Sequence, residues 1–256
     1  MIRQLWNGFK ISFAMYSRIP VPEADWTDDN MKYSMCFFPL VGAVIGAVMY
    51  AWYCLCGLLP FGNTFQTAVY LIIPVIISGG IHMDGLLDTA DALSSWQTME
   101  RRLEILKDSN SGAFAIITGL VYFILYFGVM SEVDEGSIGV ICISFILSRS
   151  LSGYSVVTFK KARNTGLAVA FANPAQKKTV QITMIVFIAV CGAAVLWINP
   201  LPGLGVLAGA LLVFVYYRYM SMHYFGGITG DLCGFFTQVS ELVMALLAVL
   251  VSGILL

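Results

Sequence analysis

The chain has 256 residues, of which 59% are hydrophobic and only 11% charged, and its mean hydropathy is +0.82. Soluble domains carry about a quarter charged residues because a hydrated surface has to be covered with polar groups; these charges are too few for that, so the surface must face lipid. A net charge of −1 excludes a nucleic-acid binder that works through a stripe of Lys and Arg.

Residues 1–19 spread Arg3, Lys10 and Arg18 through an amphipathic pattern. No compact apolar core follows a basic tip, so no cleavable signal peptide is read there. The pattern predicts a helix lying in the membrane interface, with Leu5, Trp6, Phe9, Phe13 and Tyr16 towards lipid or protein. Apolar runs of about 20 residues, enough to cross the hydrocarbon core, follow near residues 36–59, 66–83, 112–131, 137–158, 179–198, 203–225 and 233–255. The second is short and runs straight into acidic residues. The expected fold is an all-α integral membrane protein: a polytopic bundle of about seven transmembrane helices plus the interfacial helix. It forms a single membrane domain over residues 1–256, with 1–35 as its N-terminal cytoplasmic segment.

Lys and Arg sort the connections into two sets. Residues 1–35, 84–111 and 159–178 hold Arg3, Lys10, Arg18, Lys32, Arg101, Arg102, Lys107, Lys160, Lys161, Arg163, Lys177 and Lys178. The connections 60–65, 132–136 and 199–202 hold none, and 132–136 carries Glu132, Asp134 and Glu135. By the positive-inside rule the N-terminus and the long loops are expected in the cytoplasm. The six cysteines lie in or beside apolar stretches without a CxxC pair, and read as small buried hydrophobes.

The most informative stretch is GGIHMDGLLDTADAL, residues 79–93. On a helix the Cα directions of Asp84, Asp88 and Asp91 fall within about 60°, which puts all three carboxylates on one face. Like charges that close repel, and at a membrane boundary each has lost hydration. A divalent cation relieves both, and Mg²⁺ suits hard carboxylate oxygens while sharing its shell with a substrate phosphate. The competing reading is a solvated helix end.

Asp108, in KDSNSG just before the third apolar run, reads equally as a helix cap or a functional acid. Asp231 ends GGITGD, residues 226–231, a glycine-rich turn at a helix N-terminus, where backbone N–H groups favour an anion. Arg149, Arg218 and Glu241 lie inside apolar runs. A charge near mid-bilayer costs about 2.5–3.5 kcal/mol on insertion scales, so each needs a partner or a polar cavity. Arg218 can snorkel. Arg149 and Glu241 read either as a structural ion pair or as substrate or metal contacts. His82 points away from the aspartates on an ideal helix and reads as a packing or hydrogen-bonding residue.

These segments resemble the cobalamin synthase family, the adenosylcobinamide-GDP ribazoletransferases of bacterial membranes. Residues 79–93 match its signature GGxHxDGLxDTxDG, with Ala92 in place of the last glycine. SRIPVP (17–22), FPLVGAVIG (38–46), LEILKDSNSG (103–112), ARNTGL (162–167) and GGITGDLCGFFTQVSELV (226–243) are similar to further family segments, in order along the chain. Asn110 replaces a usual Arg and Gln238 a usual Glu.

The resemblance implies attack by a hydroxyl of α-ribazole, or of its 5′-phosphate, on the cobinamide-linked phosphate of adenosylcobinamide-GDP, expelling GMP. It implies Mg²⁺ held by Asp84, Asp88, Asp91 and Asp231, and Asp108 as the base. Arg18, Lys107, Arg149, Arg163, Gly227, Thr229, Gly230 and Glu241 are the implied substrate contacts. The implied partners are those two substrates and the bilayer, with no nucleic acid; a homo-oligomer or association with other cobalamin-assembly enzymes is compatible with the sequence.

Two other readings are weighed. CDP-alcohol phosphotransferases also cluster membrane aspartates around Mg²⁺, but with a tighter Asp-x-x-Asp-Gly element followed by Ala-Arg, whereas three residues separate Asp84 from Asp88. A cation-coupled secondary transporter would show repeated halves and a site near the midplane; the acids here gather at one interface.

Overall fold

The computed structural model describes residues 2–58, 60–108, 110–163 and 174–254. Its helices follow the apolar runs: α1 (Ile2–Tyr16), α2 (Asp28–Met31), α3 (Phe38–Cys56), α4 (Asn63–Ser78), α5 (Ile81–Ser94), α6 (Met99–Ile105), α7 (Ala113–Ser131), α8 (Glu135–Thr158), α9 (Pro174–Ile198), α10 (Pro200–Phe225) and α11 (Gly230–Ile254). A 3₁₀ turn at Ser34–Phe37 leads into α3. Among the described residues there is no strand.

Six segments are long and apolar enough to cross a membrane: Asp28–Cys56, Ala113–Ser131, Glu135–Thr158, Lys177–Ile198, Pro200–Phe225 and Gly230–Ile254. The protein is a multi-pass membrane protein. The expected second span near 66–83 is bent: Asn63–Ser78 and Ile81–Ser94 together pass as a seventh, broken span. Its first limb stops at Ser78, and the chain turns by 96° into α5. Gly79 (φ 66°) and Gly80 (φ 80°) make the turn in the left-handed region, which glycine enters without the Cβ penalty. Their amides close α4 on the carbonyls of Ile76 and Val75, at 3.2 and 3.0 Å. At 16 residues, α4 reaches about 24 Å, short of the ~30 Å hydrocarbon core. Helix α4 thus runs from Gln66 at one end of the bundle to Ile77 at the other, and α5 turns off its end.

At the centre stands α8, buried along most of its length and packed against α3, α9, α10 and α11. Ile116, Ile124, Leu211 and Leu212 project outward, giving the bundle its apolar belt. Interfacial α1 presents Leu5 and Trp6 outward and buries Ile11 and Phe13, and its Lys10 donates to the Glu23 carbonyl at 2.7 Å.

Contacts between helix ends order the bundle into two poles. At one pole Ser252 donates to Asp134 (2.7 Å), Asn199 to the Gly136 carbonyl (3.1 Å) and Trp52 to the Gln66 carbonyl (3.0 Å). At the other, the Arg18 amide donates to Ile77 (2.8 Å), α5 crosses α11, and residues 160–162 pair with Ile228. Every Lys and Arg outside the spans belongs to the second pole.

Candidate active site

The second pole is built around a crossing that only glycine permits. A Cβ on Gly85 of α5 would lie 2.5 Å from the Asp231 carbonyl oxygen of α11. With hydrogen there, the two helices touch, and Asp84 and Asp231 come to line one cavity of about 120 Å³. Residues 147 positions apart in sequence thereby share a site.

Asp88, one turn beyond Asp84, is half-buried. Burial, and then the charges of Asp84, Asp231 and Asp91, push its carboxyl up to about 6. Ionising all of them together is therefore resisted. Asp91 has another task. Its carboxylate accepts from the Gly112 amide (2.5 Å) and the Ala115 amide (2.8 Å), so it caps α7 from a neighbouring helix and satisfies two free N–H groups. The cap that was one of the two readings for Asp108 is thus supplied across space by Asp91. Asp108 is exposed and accepts from Asn110, backbone at 3.0 Å and side chain at 2.8 Å. Those bonds hold its carboxyl below the usual carboxylate range. It stays on its own turn, and it is not among the charges that bear on Asp88.

Among the described residues no group of three or more His, Cys, Asp or Glu is close enough to hold a metal unaided. Asp84 and Asp231 therefore do not belong to a closed protein cage. Two carboxylates flanking a cavity match the way Mg²⁺ is held, with one or two protein oxygens and the rest from water and substrate phosphate.

The glycine-rich turn forms the second wall. Thr229, buried, accepts from the Leu232 amide (3.3 Å) and donates to Asp231 Oδ2 (3.3 Å), fixing the first turn of α11 and aiming the carboxylate. Gly230 is exposed in the cavity lining. Gly227 packs on the basic loop, where a Cβ would come within 2.5 Å of the Ala162 amide. The Ala162 amide donates to Ile228 (3.0 Å), and the Ile228 amide to Lys160 (2.9 Å). This pairing brings Lys160, Lys161 and Arg163 to the turn. Arg163 donates to the Leu103 carbonyl, tying the loop to α6. The rest of the ARNTGL segment, 164–167, lies outside the described residues. Arg18 lies across Gly79 and, with Lys107, is exposed at this pole.

Arg149 and Glu241, expected among the substrate contacts, meet each other. They form an ion pair between α8 and α11 at 0% and 2% side-chain exposure, and Ser148 donates to Glu241 (3.0 Å). In a low-dielectric interior an unpaired charge is far costlier than a paired one, so two lone charges on adjacent helices find one another. Beside them Tyr122 donates to Gln238 (2.6 Å). Arg149 and Glu241 do not line the cavity that holds Asp84 and Asp231; they lock the helices that carry its walls.

Sequence reasoning missed most of that lining. Tyr16, Met35, Phe38, Ser152 and Cys233 all face it, drawn from α1, the 3₁₀ turn, α3, α8 and α11. His82 also lines it, although it projects from a different side of α5 than Asp84, because the cavity wraps around the helix start. A lone aromatic or Ser in an apolar run carries no local signal of such a role.

Fold and site define a polytopic membrane enzyme with an acidic cavity and a basic rim at one pole. The chain belongs to the cobalamin-5-phosphate synthase family, whose pattern it matches over residues 8–250. It is 45% identical over 248 residues to the adenosylcobinamide-GDP ribazoletransferase of Lachnoclostridium phytofermentans, covering 97% of this chain and 95% of that one. The proteins of the same name from Desulfitobacterium hafniense and Clostridium botulinum are similar to it at 34% identity (96% of each chain) and 30% identity (94% and 96%). No solved structure matches the chain.

Proposed function

We propose that the protein transfers the adenosylcobinamide phosphate group from adenosylcobinamide-GDP to α-ribazole or its 5′-phosphate, releasing GMP. The observation that carries this reading is the joint lining of one cavity by Asp84 and Asp231, beside a carboxyl of raised proton affinity and under a basic rim. The family relatives carry the name of that reaction. Asp84 and Asp231 would hold Mg²⁺, which supplies charge neutralisation for the transferred and leaving phosphates.

The chain's own groups do the rest. Asp88, whose carboxyl burial and its acidic neighbours push up to about 6 in the metal-free protein, is the candidate general base, since it stands one turn from Asp84 while Asp108 stays on its own turn. It takes the proton of the attacking hydroxyl as the new P–O bond forms and the bond to GMP breaks. Arg18, Lys107 and Arg163 offer charge-assisted hydrogen bonds to the phosphates. Because the Lys and Arg outside the spans gather at this pole, the site faces the cytoplasm, where nucleotide substrates are at hand.

The test is GMP release by purified protein in detergent. Release should require adenosylcobinamide-GDP, α-ribazole and Mg²⁺ together. Release that proceeds equally without α-ribazole, or none under any of these conditions, would overturn the assignment.

A further inference from the structure

Arg218 lies inside a membrane span, and the acidic cavity makes no use of it. It stands on α10 seven residues before Phe225, which sets its Cα about 10 Å short of the helix end. Leu211, Val215 and Arg218 recur at i, i+4 and i+7, so the charge shares its helix face with exposed residues of the apolar belt. Arg218 is itself exposed, and among the described residues no carboxylate pairs with it. Residues 164–173 contain no Asp or Glu that could do so. A charge so placed is costly unless its head reaches polar surroundings. The side chain does turn towards the pole. Its guanidinium carbon lies 5.3 Å from the centre of the Phe159 ring, and Phe159 ends α8 just before the exposed Lys160. The ring attracts one face of the guanidinium and leaves its N–H edge without a partner of opposite charge.

Around this charge α10 carries an open groove lined by Phe214, Val215, Arg218, Tyr219, Met222 and His223. Its lining is graded along the helix. Phe214 and Val215 form the apolar half. His223, exposed and stacked on Tyr219 with ring centres 5.4 Å apart, stands at the polar end. We propose that the groove holds an anionic phospholipid, whose headgroup phosphate bonds the Arg218 guanidinium and a His223 ring N–H while an acyl chain lies along Val215 and Phe214. A guanidinium with an open donor edge matches a phosphate in charge and geometry, and the apolar half of the groove matches the chain. In the orientation proposed above, this pole meets the cytoplasmic leaflet, whose anionic headgroups are drawn to basic side chains at the membrane surface. A second copy of the chain is the competing occupant. A twofold contact over this face sets two Arg218 side chains near one another, and the lining offers no carboxylate between them.

Native mass spectrometry of the detergent-purified protein, mixed with equal amounts of phosphatidylglycerol and phosphatidylcholine, tests the site without recourse to the reaction. Wild type should retain phosphatidylglycerol in preference. Arg218→Gln should cut that retention about fivefold, the worth of one basic side chain at a lipid surface. Arg218→Lys should keep most of it, and Lys178→Gln, which removes an exposed cation outside the groove, should leave it within about twofold. Should Arg218→Gln fail to fold, Val215→Trp, which fills the apolar half of the groove, takes its place with the same expected loss. Glycerol phosphate offered instead of lipid should not be retained, because it has no chain to lay along Val215 and Phe214. Equal retention of the two lipids by wild type, retention unchanged in Arg218→Gln, or an equal loss in Lys178→Gln overturns the site. Glycerol phosphate held as well as phosphatidylglycerol overturns the lipid assignment in favour of a free phosphate. Dimers that vanish in Arg218→Gln while lipid retention persists overturn it in favour of self-association.

Discussion

The two poles of the bundle solve the same physical problem in opposite ways. At the pole holding Asp134, several polar groups at the helix ends have protein partners, although the buried Thr67 hydroxyl has none among the described residues. Asp134 and Ser137 form a capping box on α8, Ser252 reaches Asp134 from α11, and Asn199 ties α10 to α8. At the pole holding Asp84, helix α4 is broken by two left-handed glycines, carboxylates sit together against their mutual repulsion, and a buried imidazole nitrogen has no partner among the described residues. The first arrangement contributes stability. The second leaves interactions for a ligand to complete, and sites of that kind are where function gathers.

Perturbing each pole should separate the two contributions. The largest effect is expected from Asp84→Asn or Asp231→Asn, each lowering kcat by at least about a thousandfold while the purified protein keeps its detergent melting profile; turnover near wild type would remove the pair from the chemistry. Next comes Gly85→Val, which drives a side chain into the Asp231 backbone and parts α5 from α11. A displacement near 1 Å at a reacting centre can cost about a hundredfold, so kcat/KM should fall by that order, measured by the same GMP assay.

Acid should act on the same pole. Asp88 is pushed up to about 6 with no metal beside it, and a cation on Asp84 and Asp231 lowers that value, so kcat/KM should fall about tenfold per pH unit below a break at or under pH 6; an acid limb that breaks well above pH 6 would exclude Asp88. The effect on stability has the opposite sign. The native carboxyl binds its proton more tightly than the unfolded one, so between pH 4 and 6 protonation of Asp88 favours the folded, metal-free protein.

Smaller effects sharpen the contrast. Asp134→Ala removes a cap at the opposite pole and should cost about 1 kcal/mol in denaturant titrations, with kcat unchanged. Asp108→Asn should alter kcat by less than about twofold, since among the described residues its carboxylate bonds only within its own turn and surface changes of that kind are nearly neutral.

Hydropathy made the spans legible, because lipid imposes a length and a composition that few other constraints can mimic. The shared helical face of Asp84, Asp88 and Asp91 was legible for a similar reason: a helix repeats every 3.6 residues. The break at Gly79–Gly80 was harder to read, since paired glycines inside an apolar run fit a continuous helix as well as a turn. The bond from Asp91 to Gly112 and Ala115 bridges separations of 21 and 24 residues, and no local pattern encodes it. The partnership of Arg149 and Glu241 could be anticipated only as one of two choices, because charge alone does not say which helix will be the neighbour. The cavity lining was out of reach for the same reason: its residues come from elements whose adjacency is a property of the packing.

A double-mutant cycle reports most directly on whether Asp84 and Asp231 work as one unit. With kcat for GMP release measured in Asp84→Asn, Asp231→Asn and the double variant, the double should be no slower than the worse single, because removing either carboxylate already abolishes their shared ligand site. Losses that multiply, so that the double variant falls by the product of the two single effects, would mean that the two carboxylates act independently.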